Sequence, residues 1–134
     1  MTHMDKERSI AVAAQDDLIM ARQVVRALAR EEGFQTVEQT RLATVVGELA
    51  RNALLYAGKG LCKMQVRRNG HDVSIVVTMI DEGPGIADIE TALTPGFSMS
   101  WGGGLVGARR LVDCLDILSE PGHTEVSITL NRRP

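Results

Sequence analysis

The stretch WGGGLVGARRLVD, residues 101–113, decides between two folds. Gly102, Gly104 and Gly107 stand at G-x-G-x-x-G, the spacing of a dinucleotide fingerprint, which would make the chain a doubly wound enzyme using a nicotinamide or flavin. That fingerprint needs a buried strand directly before its first glycine and an acidic residue about 20 positions further on. Here the glycines follow TPGFSMSW, which has no strand pattern, and 27 residues remain after Gly107 of 134. A dinucleotide-binding half cannot be completed in that length. The stretch therefore reads as a glycine-rich loop running into a helix over 105–115, whose first amides and dipole suit a phosphate group. Lys59 in AGKG offers no second phosphate loop, because no Ser or Thr follows it and no G-x-x-x-x-G spacing precedes it.

The segments on either side predict an α+β domain. Residues 8–14 suit a short strand, and Asp16 or Asp17 caps a helix to about Glu32 with Leu18, Ala21, Val25, Leu28 and Ala29 on one stripe. A second helix opens at Thr36, which with Gln39 has capping-box spacing, and ends near Ala57 before Gly58. LCKMQVRRNGHDVSIVVTMI, residues 61–80, reads as a hairpin around Asn69-Gly70, and its second arm, Val73–Ile80, is apolar enough for a central strand buried on both faces. DILSE and TEVSITLNR form a last hairpin joined by Pro121-Gly122. The expected architecture is a two-layer sandwich with helices on one face of a mixed, mostly antiparallel sheet.

Composition narrows the function. Apolar residues at 44% and charged residues at 24% describe an ordinary globular chain, of a length that fits one domain. A net charge of -2 and an aromatic content of 3% give neither the basic footprint nor the stacking surface of a nucleic-acid binder. Cys62 and Cys114 lack metal-ligand spacing and are expected in the core, in a reducing compartment. His3, His71 and His123 have no metal-like spacing and are expected at the surface or in turns. No export signal or membrane span is expected, and the expected location is the cytoplasm.

Two further stretches carry chemistry. In GELARN, Glu48 and Asn52 are one helical turn apart, so a carboxylate and an amide share a face and can orient a hydroxyl and hold Mg²⁺. Periodicity equally allows Arg41, Thr44, Glu48, Arg51 and Asn52 to be a solvated stripe opposite Val45, Val46, Leu49 and Ala53. In DEGPGI, residues 81–86, Asp81 can accept a hydrogen bond from an exocyclic amine, and Gly83 and Gly85 admit a planar ring. An ordinary Asp-Gly-Pro turn would use the same residues. Trp101 reads either as a loop anchor or as a partner contact.

ELARN…YAGKG, DEGPGI, GFSMS and GGGLVGARRLVD, in this order and at these intervals, resemble the GHKL (Bergerat-fold) ATPases, and within them the RsbT-type switch kinases of stressosomes. The resemblance covers residues 8–131, taken as one domain behind a short extension, 1–7. It implies an ATP- and Mg²⁺-dependent serine/threonine kinase acting by partner switching on STAS-domain scaffolds (RsbS/RsbR-like), with a PP2C-type phosphatase (RsbU-like) as effector. Glu48 would be the general base and Asn52 the Mg²⁺ ligand. Asp81, Gly83, Gly85, Ile86 and Thr124 would form the adenine site, and Gly102, Gly103, Gly104 and Leu105 the phosphate lid. The lid is a couple of residues shorter than the family's and carries Trp101, and His123 stands where glycine is usual. A short lid also fits a Bergerat-fold interaction module that regulates partners by binding alone.

Overall fold

A computed structural model of the chain describes residues 3–83 and 104–133. Along the chain run β1 (His3–Val12), α1 (Gln15–Glu31), α2 (Thr36–Ala57), β2 (Gly60–Asn69), β3 (Asp72–Asp81), α3 (Gly104–Leu111), β4 (Cys114–Glu120) and β5 (His123–Asn131). The strands form one open sheet in the order β1-β2-β3-β5-β4. All four pairings are antiparallel, so the mixed character expected of the sheet is absent among the described strands.

The helices α1 and α2 are each started by a carboxylate from inside the first turn. Asp17 Oδ2 accepts from the amides of Ala13 (2.8 Å) and Ala14 (3.0 Å), and Glu38 Oε1 accepts from Gln35 N at 2.8 Å. The reciprocal cap of α2 thus lies one residue earlier than a Thr36–Gln39 box, and Gln39 instead donates to the Phe34 carbonyl at 3.0 Å. Gly58 ends α2 at φ 79°, a left-handed conformation that costs glycine little.

The apolar stripe of α1 is buried as expected at Leu18, Ala21, Val25, Leu28 and Ala29. It packs with Leu42, Val45, Val46, Leu49 and Ala53 of α2 over the sheet. From β3, Val73, Ile75, Val77 and Met79 enter this core, while Ser74, Thr78 and Ile80 on the other face stay half-buried. β3 is central but covered by helices on one face only. Its second apolar face is shielded chiefly at Val76, 8% exposed among neighbouring strands.

Four boundaries differ from the sequence expectation. β1 begins at His3, because its pairing with β2 continues to Arg68 past an irregularity between Met4 and Lys6. The first hairpin turns at Gly70-His71, one residue later than expected, since Asn69 pairs with Asp72 and Gly70 takes φ 65°. α3 stops at Leu111 because Asp113 N already bonds to Thr129 O (3.0 Å) and Cys114 enters the sheet. Cys62 is a core residue whose burial pushes its thiol up to about 12, whereas Cys114 lies exposed on edge strand β4 and not in the core.

Candidate functional site

The polar stripe of α2 divides in two. Arg41, Thr44 and Arg51 are exposed, but Glu48 and Asn52 are half-buried. Glu48 Oε2 and Asn52 Oδ1 are sealed from solvent and have no hydrogen-bond partner among the described residues. An unsatisfied buried acceptor costs about 1–3 kcal/mol, so native folds keep few of them. Two such oxygens one turn apart form a paired, electron-rich feature that the fold itself does not neutralise.

Beyond the C-terminal half of α2, the ends of β3 and β5 build a corner. Asp81 pairs with Thr124 across the two strands. Asp81 Oδ1 accepts from Gly83 N at 3.0 Å, leaving its second oxygen for a donor from outside. Thr124 is 4% exposed, and its hydroxyl meets Ser119 Oγ at 2.9 Å. Gly83 rests on α2, where a Cβ would come within 2.8 Å of Ala57 Cβ. Only glycine allows this approach, and Ala57 is about 7.5 Å along the helix axis from Asn52 and about 13.5 Å from Glu48. The corner and the acceptor pair therefore share the C-terminal half of one helix.

Sequence reasoning missed three supports of this corner. Gly122 N donates to Gly83 O at 3.0 Å, fastening the last hairpin turn to the segment after β3. Gly60 lets α2 close onto the sheet, since a Cβ there would meet Ala53 Cβ at 2.9 Å and Ile80 O at 3.1 Å. Ser119 orients the Thr124 hydroxyl. The Pro121-Gly122 pair signalled the turn, with Gly122 at φ 87°, but not what its amide would bind.

Of the predicted site residues, Glu48, Asn52, Asp81, Gly83 and Thr124 are brought to this region. Gly104 opens α3, which packs on α2. Leu105 follows it in the helix. Gly85, Ile86, Gly102, Gly103 and Trp101 lie outside the described residues. His123 begins β5, with Nε2 3.5 Å from Glu125 Oε1.

Among the described residues no group of three His, Cys, Asp or Glu could enclose a metal. The chemistry of Glu48 and Asn52, two hard oxygen donors, fits Mg²⁺ instead, which retains waters and shares its shell with phosphate oxygens. No helix among the described residues is long and apolar enough to cross a membrane.

Comparison with known proteins shows the family of the chain. Residues 11–130 match the histidine kinase-like ATPase domain family. The chain belongs to that family. It is 38% identical over 126 residues to the serine/threonine-protein kinase RsbT of Bacillus subtilis, across 92% of this chain and 95% of that protein, which places it among the RsbT-type serine/threonine kinases. A solved chain holding the RsbU and RsbW domains of Rv1364c from Mycobacterium tuberculosis superposes with a TM-score of 0.71 at 17% identity. That match covers 97% of this chain and 34% of the longer one. The catalytic domain of histidine kinase ThkA gives 0.55 at 16% identity, covering 97% of this chain and 99% of that domain. At such identities the two structures speak for the Bergerat fold alone.

Proposed function

We propose that this RsbT-type kinase transfers the γ-phosphoryl group of ATP to a serine or threonine hydroxyl of a STAS-domain scaffold resembling RsbS or RsbR. The observation that carries the reading is the pair of buried, unpartnered acceptors, Glu48 Oε2 and Asn52 Oδ1, on the helix that also supports the Asp81 corner. Phosphoryl transfer asks a protein mainly for positioning and charge compensation, with one group to receive the hydroxyl proton.

In this scheme the free oxygen of Asp81 accepts from the adenine amine, and the Gly83 backbone and Thr124 shape the ring pocket. Gly85 and Ile86 continue that pocket, and Gly102 to Leu105 enclose the phosphates. Glu48 takes the proton as the substrate oxygen bonds to the γ-phosphorus, the bridging P–O bond breaks, and ADP departs with the electron pair. Asn52 Oδ1, with Glu48 nearby, would hold Mg²⁺, which neutralises phosphate charge. The domain comprises residues 8–131 and works in the cytoplasm. Partner switching then proceeds by release from the phosphorylated scaffold and activation of an RsbU-like PP2C phosphatase, a step supported by kinship with RsbT.

The test is a phosphorylation assay with Mg·ATP and the cognate STAS protein. Phosphoserine or phosphothreonine is expected, with a loss of about 100-fold or more in Glu48→Gln. Binding of a non-hydrolysable ATP analogue should stay Mg²⁺-dependent in Glu48→Gln and lose that dependence in Asn52→Ala. Equal phosphorylation by Glu48→Gln would overturn the reading.

A further inference from the structure

Three polar side chains stand in one row across the end of the sheet, on the face that the helices cover. Asp81 of β3 pairs with Thr124 of β5, and Thr124 pairs in turn with Ser119 of β4. Side chains alternate along a strand, so Asp81 follows Val77 and Met79, Thr124 leads into Val126 and Ile128, and Ser119 follows Leu115 and Ile117, all on the core side. Neighbours in such a row lie about 4.8 Å apart, within reach of two adjacent positions on one purine edge. Ser119 stands behind the other two on the edge strand.

Thr124 is 4% exposed, so bulk water does not decide where its hydroxyl proton points. Its side-chain hydrogen bond among the described residues is the one with Ser119 Oγ at 2.9 Å, in which either oxygen can donate. The neighbouring Asp81 carboxylate breaks that symmetry. A hydroxyl dipole beside a carboxylate turns its proton toward the negative charge, and Thr124 can do so only if the Ser119 proton fills the bond between the two hydroxyls. Among the described residues no hydrogen bond joins Thr124 to Asp81 itself, whose Oδ1 is taken by Gly83 N. The row thus offers a ligand an acceptor at Asp81 and a donor beside it at Thr124.

We propose that Ser119 sets the base preference of the nucleotide site by donating to Thr124 Oγ1 and so holding the Thr124 proton toward the purine edge. This rests on the reading of the corner as an adenine site. Adenine presents a donor, its 6-amine, next to an acceptor, N1, which complements the pair. Hypoxanthine in the same place turns a carbonyl oxygen to Asp81 and an N1–H to the Thr124 proton, so both contacts set like against like. Asp81 supplies the first half of this preference. The second half exists only while the Thr124 proton is fixed, because a hydroxyl free to rotate accepts from N1–H as readily as it donates to N1. Ser119 is therefore a positioning residue that acts on the base through Thr124.

The experiment is a calorimetric titration of the whole chain with Mg²⁺ and non-hydrolysable analogues of ATP and ITP, for the parent, Ser119→Ala, Ser119→Thr and Asp81→Asn. The parent is expected to prefer the ATP analogue. Ser119→Ala should weaken the ATP analogue about three- to tenfold and leave the ITP analogue as tight or tighter, and Ser119→Thr should restore the preference. Asp81→Asn reports on the site itself and should collapse or invert the preference. A parent that binds neither analogue or both alike, or an Asp81→Asn variant with the preference intact, would overturn the adenine-site reading and this inference with it. A preference that responds to Asp81→Asn but not to Ser119→Ala, or an equal weakening of both analogues in Ser119→Ala, would overturn the role of Ser119 alone.

Discussion

Glu38 and Glu48 lie on the same helix, ten residues or about 15 Å apart, and differ in what their oxygens meet. Glu38 is 3% exposed and both oxygens are engaged, Oε1 by Gln35 N and Oε2 by Arg133 N, each at 2.8 Å. Glu32, at the turn before it, is 4% exposed and holds Lys6 at 2.7 Å and Arg68. At that end buried carboxylates are completed by the fold, tying the start of α2 to the last residues of the chain. Glu48 Oε2 and Asn52 Oδ1, by contrast, have no such partner among the described residues. Burial alone does not separate a structural carboxylate from a working one; the presence or absence of a partner does.

The largest expected effect breaks catalysis without touching the fold. Glu48→Gln keeps the shape and removes the proposed base, so phosphoryl transfer should fall by about 10²- to 10⁴-fold while thermal stability holds or rises slightly. A matching loss of stability, read by calorimetry, would show that Glu48 belongs with Glu38 after all. The converse variant, Glu38→Ala, removes a helix-start acceptor and strands the Gln35 and Arg133 amides. It should cost about 2 kcal/mol in chemical denaturation, with the turnover of the folded protein within a factor of a few of the parent. If Glu38→Ala instead abolished turnover at full stability, the division between the two ends would fail.

Much of this contrast was legible in the sequence, but unevenly. The stripe on α1 and the Asn69-Gly70 and Pro121-Gly122 signals rest on local periodicity and turn chemistry, and they placed the core of α1 and both hairpins. The start of β1, the end of α3 and the one-sided covering of β3 were not legible, because strand pairing decides them and pairing is non-local. At the site, Glu48 and Asn52 were visible as neighbours on one face. Periodicity could not tell a solvated stripe from a sealed acceptor pair, since that depends on how α2 settles onto the sheet through Gly60 and Gly83. Glu38 gave no functional signal, and its anchoring of Arg133 joins residues 95 apart in the chain.

The smallest predicted effect tests the contrast most directly, because it concerns stability at the working end. Asn52 Oδ1 is a buried acceptor whose desolvation nothing in the described fold offsets. Leucine has the same branched heavy-atom skeleton and no polar atom to desolvate. Asn52→Leu should therefore stabilise the nucleotide-free chain by about 0.5–1 kcal/mol, a rise of roughly 2–4 °C in Tm, while abolishing Mg²⁺-dependent nucleotide binding. Saturating Mg·ATP should then raise the melting temperature of the parent but not of the variant, reversing their order. A variant less stable than the parent without nucleotide would mean that Oδ1 serves the fold as Glu38 does, and the acceptor pair would lose its claim to be held open for a ligand.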